Sequence, residues 1–189
     1  MQTNRWMRLM MASTLLVLVS GCATRNMLND GIGGKAMLAG NDPVSYHAGP
    51  SPVKGDPAIT ADWDGGTYRF ANAANRELFT KTPEKYAPQY GGYCANGAPY
   101  SILLGGSESA YKIVDGRLFM FSGPDSLKYW EMDEKKNLAL GDDYWKTELK
   151  DTSSAFMHSW WRVLVAKVPH YKTGKELQAE WQARQGKKS

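Results

Sequence analysis

Two stretches in the middle of the chain alternate apolar and polar residues, and each is broken by an aspartate–glycine turn. Ala58–Trp63 and Thr67–Phe70 flank Asp64-Gly65-Gly66, and Tyr111–Val114 and Leu118–Phe121 flank Asp115-Gly116. Alternation with a turn that tolerates positive φ predicts a β-hairpin in each place. Helical signals follow both. Asn72 is a capping residue for a helix over 73–81, with Leu78 and Phe79 as its buried side. Pro83 suits the first turn of a short helix ending near Tyr86. Pro124 opens a helix to about Met132, and further helical turns fit between Lys135 and Leu149.

Between the two hairpins lies a loop punctuated by Pro88, Gly91, Gly92, Gly97 and Pro99. No internal repeat is legible. In the last forty residues Phe156, Trp160, Val163 and Leu164 share a helical face, while 162–168 reads equally as a strand. Thr173-Gly174-Lys175-Glu176 is a capping box for a terminal helix carrying Leu177 and Trp181 on one side. Trp130, Trp145, Trp160, Trp161 and Trp181 are expected in the core of the second half. Adjacent Trp160 and Trp161 cannot face one side of a helix, so one is free to touch lipid or a partner. Hairpins followed by helices predict an α+β fold: small antiparallel hairpins packed with short helices, plus a mostly helical C-terminal extension at 150–189.

The N-terminal segment reads as an address. Arg5 and Arg8 precede a short apolar run, Leu15–Val19, well under the roughly 20 residues a membrane-spanning helix needs. The run ends in Val19-Ser20-Gly21-Cys22, which resembles a bacterial lipobox. The resemblance implies removal of residues 1–21 and acylation of Cys22. Two or three acyl chains anchor stably, whereas one is marginal. Ala23 rather than Asp after the cysteine implies outer-membrane sorting, facing the periplasm. Residues 22–36, with Gly31, Gly33 and Gly34, read as a flexible tether, and the folded domain is expected over 37–149.

Composition narrows the function classes. At 42% hydrophobic and 22% charged residues, the chain of 189 residues is globular. Its net charge of +4 includes two arginines of the signal segment, which holds no acidic residue, so the exported part carries +2. No long basic block is present, which argues against a nucleic-acid partner. Two cysteines cannot form a disulfide scaffold once one carries lipid.

Five pieces in order resemble the YHS-domain family, specifically its exported bacterial members: Asn41-Asp42-Pro43-Val44-Ser45-Tyr46; Gly66-Thr67-Tyr68-Arg69-Phe70; Asn75-Arg76-Glu77-Leu78-Phe79 with Pro83-Glu84-Lys85-Tyr86; Pro88-Gln89-Tyr90-Gly91-Gly92-Tyr93-Cys94-Ala95; and Ile113-Val114-Asp115-Gly116-Arg117-Leu118. The resemblance spans roughly Leu38 to Trp145 and implies a YHS-like fold. Many such domains are presumed to bind metal through thiolates. Here Ser45, Ala71 and Asn75 stand at those cysteine positions, so that site does not carry over.

Cys94 is the one free thiol left after lipidation of Cys22. Its sulfur is either employed or a small buried core atom. Employed, it suits a soft ion such as copper, with His47 and Met120 as further ligands. A second reading is a thiol oxidoreductase or peroxide-reactive protein, which needs a nearby cation; Lys81, Lys85 and Arg117 are the candidates. A third is a non-catalytic envelope interaction module docking a protein partner through the tryptophan-rich end. No nucleophile-elbow motif supports a hydrolase.

Overall fold

The structure, a computed structural model, describes residues 24–187. The segment read as a signal, and Cys22, lie outside the described residues. The fold is mixed α+β, with three antiparallel two-stranded hairpins and several helices.

The first hairpin pairs β1 (Met27–Asn29) with β2 (Lys35–Met37). It overturns the expectation of a tether. The glycines form its turn, where the Asp30 carboxylate accepts the N–H groups of Ile32 (2.9 Å) and Gly34 (3.0 Å) and pairs with Arg69. Buried Arg25 pairs with Asp64 at 2.8 Å and lies over the Trp145 ring. Asn26 Nδ2 bridges the carbonyls of Gly92 and Gly106 at 2.9 and 3.0 Å. Polar clamps to distant residues fix this segment, and its own composition carries no trace of them.

The second hairpin, β3 (Asp56–Trp63) with β4 (Gly66–Phe70), turns at Asp64-Gly65. Helices α2 (Ala73–Lys81) and α3 (Pro83–Tyr86) follow. Asn72 caps α2 as predicted, its side chain accepting the Asn75 N–H at 2.9 Å. Only Phe79 of the expected pair is buried; Leu78 is 45% exposed. The third hairpin, β5 (Ser107–Val114) with β6 (Arg117–Phe121), leads into α4 (Pro124–Glu131) and α5 (Glu134–Tyr144). A π-type turn, Trp145–Leu149, extends α5.

Strand β6 is buried on both faces and divides two cores. Leu118 and Met120 face a first core with Met37, Tyr68, Phe70 and Phe79. Phe119 and Phe121 face a second core with Tyr90, Cys94 and Trp130. Alternation along a strand explains the division. Burying one such aromatic contributes about 1.5–3 kcal/mol.

The two central hairpins belong to an internal duplication that the sequence hides. In both, an eight-residue strand meets a five-residue strand across an Asp-Gly turn, and a bulge follows the first strand residue. Position by position, β3–α2 recurs 51 residues later as β5–α4. The aspartate φ values are 48° and 51°, the glycine values 76° and 75°. Upstream, Leu38-Ala39-Gly40 has φ of 57°, 52° and 77°, and Tyr90-Gly91-Gly92 has 53°, 60° and 79°. Packing repeats too. Phe79 stacks on Tyr68 and Phe70, and Trp130 on Phe119 and Phe121. The repeat is hard to see in sequence because the two units share few residue identities, while their backbone and aromatic positions correspond.

The C-terminal extension is helical: α6 (Ala155–Leu164) and α7 (Gly174–Gly186). The strand alternative at 162–168 is thereby decided against. The Thr173–Glu176 capping box forms as predicted. The tryptophans do not share one core. Trp130 is fully buried, but Trp160 and Trp161 are both about half exposed, so the expectation that only one of that pair is free does not hold.

Candidate functional site

Cys94 follows the left-handed turn Tyr90-Gly91-Gly92. Its N–H donates to the Leu104 carbonyl (2.8 Å), and the next N–H, of Ala95, donates to the Met120 carbonyl (2.8 Å). The side chain therefore points into the second core and is 0% exposed. The sulfur is nevertheless polar in its contacts. The Ser122 N–H donates to Sγ at 3.3 Å, Ser126 Oγ lies 3.0 Å away, and the thiol reaches Ser122 Oγ at 3.7 Å.

The expected copper ligands are not gathered around it. Met120 shares a backbone bridge with Cys94, but its side chain enters the other core. His47, on α1 (Ser45–Ala48), stacks edge-on against Tyr86 with centroids 5.4 Å apart. Its Nε2 is buried without a hydrogen-bond partner, and burial, then Lys85, lowers its proton affinity. Among the described residues no three His, Cys, Asp or Glu side chains are grouped to hold a metal ion. The donors present do not fit a copper site.

The expected cations are engaged elsewhere. Lys81 pairs with Glu77, Lys85 lies over the Tyr86 ring, and Arg117 makes a bidentate pair with Asp142 at 2.6 and 2.9 Å. Burial pushes the Asp142 carboxyl upward, and the hydrogen bonds from Arg117 and Tyr90 outweigh it, leaving it below the usual carboxylate range. None of these cations is among the hydrogen-bond partners of the sulfur. Of Tyr86, Tyr90, Tyr93 and Tyr100, which lie near Cys94 in sequence, Tyr90 shares its core.

A second constellation was illegible in sequence. Buried Ser101, at φ 56°, donates its hydroxyl to Glu148 Oε2 at 2.7 Å, and His158 Nε2 stands 3.1 Å from the same hydroxyl. Its members resemble a catalytic triad; its geometry does not. His158 Nε2 also stands 3.1 Å from the Ser101 carbonyl, which accepts only from a protonated nitrogen. That nitrogen then has no lone pair for the serine proton. The carboxylate bonds the serine itself and pairs with Arg162, whereas a triad carboxylate orients the histidine. The cluster is a polar lock tying α6 to the body.

What adjoins Cys94 is a cavity of about 350 Å³. Ser122 and Ser126, the two partners of the sulfur, form part of its floor. Ile102 and Leu104 line one side, and Val163, Tyr171 and Leu177 of the C-terminal extension close the other. Its surface is mainly apolar. A larger depression of about 520 Å³ between α4 and α7 is lined by charged and apolar side chains alike, among them Met132, Trp181 and Arg184, the last already paired with Asp133 and Glu180. Ser122, Ser126 and Leu104 carry no sequence signal of a site, since isolated serines and a loop leucine are ordinary surface residues.

No known protein family, curated protein or solved structure matches this sequence.

Proposed function

We propose that the chain is a non-catalytic binding module with a YHS-like domain, held at a bacterial envelope membrane by lipid on Cys22. Its ligand is a small, largely apolar molecule carrying one or two hydrogen-bonding groups. The observation that carries this reading is the cavity over Ser122 and Ser126. Its volume lies within the roughly 300–1,000 Å³ of small-molecule pockets, and a mainly apolar surface with a few polar side chains, Ser122 and Ser126 among them, is the usual composition of one. The YHS resemblance draws support from the surroundings of Asp42. Two of the positions where that family carries cysteines, Ala71 and Asn75, donate to its carboxylate, and the third, Ser45, donates its hydroxyl to the Asp42 carbonyl.

Native mass spectrometry of the chain extracted from its own membrane tests the reading. Wild type should carry a co-purified small-molecule adduct, and Leu104→Trp, which places a large ring in the cavity from a half-exposed position, should lack it. An adduct-free wild type, or the same adduct on both proteins, overturns the assignment.

A further inference from the structure

Helix α6 is inside out. Its polar residues face the protein: Ser159 Oγ accepts the Leu103 N–H at 2.9 Å and donates to the Leu103 carbonyl, His158 meets Ser101, and Arg162 pairs with Glu148. Its large apolar residues, Val163 excepted, face outward. Phe156 is 74% exposed and Leu164 62%, with Met157, Trp160, Trp161 and, just past the helix, Val165 also exposed. A helix of a water-facing surface has the opposite arrangement. Large apolar side chains exposed together on one helix face mark an interaction site.

The path of the chain says what covers it. Thr24 is held against the loop that leads into α6, its N–H and hydroxyl both donating to the Thr152 carbonyl at 3.4 and 3.3 Å. Ser154 then caps the helix. Cys22 is two residues before Thr24, a reach of at most about 7 Å. The acyl chains of a lipidated Cys22 would therefore leave the protein at the N-terminal end of α6. Exposed Lys150 stands just before the helix and exposed Lys167 just after it, beside one exposed acid, Asp151. Tryptophans beside an apolar face flanked by lysines suit the boundary of a bilayer.

We propose that the outer face of α6 is a membrane-docking surface that lies on the bilayer beside the lipid on Cys22. The inference rests on the lipid-anchor reading. The anchor holds α6 at high effective concentration over the membrane, so a helix of ten residues docks without having to bind strongly by itself. Docking then places the cavity, which α6 closes through Val163, close to the membrane surface.

The test uses the full chain, matured and acylated in a bacterial host and reconstituted into phosphatidylethanolamine–phosphatidylglycerol vesicles with brominated acyl chains. Tryptophan fluorescence should be quenched. Trp160→Phe/Trp161→Phe should lose most of the quenching, because those rings are the ones in contact with lipid. Phe156→Asp/Leu164→Asp should stay anchored in flotation and keep its circular dichroism, yet lose the quenching. An acylated wild type without quenching, or equal quenching in all three proteins, overturns the docking surface and leaves the anchor standing. Fluorescence protected by a second copy, seen as a cross-linked dimer, also overturns it. A Cys22 without acyl mass in a chain still quenched at α6 refutes the anchor and supports the docking.

Discussion

Cys94 occupies in the second hairpin–helix unit the place that Asp42 occupies in the first. Asp42 N–H donates to Val53 O at 2.9 Å, and Cys94 N–H to Leu104 O at 2.8 Å. The carboxylate accepts the Ala71 N–H and the Asn75 amide at 2.8 and 2.6 Å. The sulfur takes the Ser122 N–H and meets the Ser126 hydroxyl, each 51 residues on. Both side chains pin the end of a hairpin and the first turn of the helix after it. The thiol is thus a weak structural substitute for a carboxylate.

That equivalence sets an order of stabilities. Asp42→Ala leaves the N–H groups of Val44 and Ala71 and the Asn75 amide without their acceptor, at a cost of about 3 kcal/mol or more. Cys94→Ser keeps a polar atom at its site and costs about 1 kcal/mol. Urea unfolding of both variants checks the order. The Cys94 thiol should also resist a disulfide reagent in the native protein and react once the protein unfolds; fast native reaction would restore the oxidoreductase reading.

The histidines give stability a definite slope with pH. Burial lowers the proton affinity of His158; the Ser101 carbonyl opposes this and Arg162 reinforces it. His47 is lowered by burial and then by Lys85. Both titrate in the folded state below the ordinary value of 6.5. Below about pH 6.5 the unfolded chain therefore binds more protons, and stability falls on acidification until the folded-state values are passed. The melting temperature should drop between about pH 7.5 and about pH 5.5, and His158→Gln should flatten the slope. A melting temperature that is level or rises across that window contradicts the assignment.

The sequence carried the local elements and missed what depends on distance. Asp64-Gly65, Asp115-Gly116, Asn72, Pro83, Pro124 and the Thr173–Glu176 box each act within a few residues, so turns and caps were legible. The duplication was not, because it is carried by backbone conformation and by Phe79 and Trp130 at equal depth, not by shared identities. Nor was the fate of residues 24–36, whose order comes from Arg69, Asp64 and Gly106 far along the chain. For α6 the periodicity gave a helical face through Phe156 and Trp160 but left 162–168 open between helix and strand, and it expected the tryptophans in a core with one of Trp160 and Trp161 free. Hydrophobic pattern reports an apolar face, never what lies against it. The cavity joins Ser122 and Ser126 to Val163 and Leu177, a meeting that only the folded chain makes.

Gly141 offers a reversal of propensity. It lies within α5, where alanine would ordinarily be favoured by about 1 kcal/mol. A Cβ there would stand 2.7 Å from Tyr90 Oη, 3.1 Å from Cζ and 3.3 Å from Ala98 Cβ. Tyr90 is buried and its hydroxyl donates to Asp142 at 2.9 Å, so the ring has no room to yield. Gly141→Ala is expected to destabilise by about 1–3 kcal/mol, the range of overpacked sites. A raised melting temperature would show that α5 shifts freely against the Tyr90 loop.

Trp130 tests whether the duplication is energetic as well as geometric. Its indole is fully buried, and Nε1 has no hydrogen-bond partner among the described residues. An unpartnered buried donor costs about 1–3 kcal/mol. The equivalent place in the first unit holds Phe79, packed on Tyr68 and Phe70 much as Trp130 packs on Phe119 and Phe121. Trp130→Phe removes the stranded N–H and leaves a modest void, two effects of opposite sign and similar size. It should change stability by less than about 1.5 kcal/mol, whereas Trp130→Ala should cost about 3–5 kcal/mol. Chemical denaturation of both variants decides the matter. Equal, large losses would mean that the second unit depends on the whole indole and that its likeness to the first stops at the backbone.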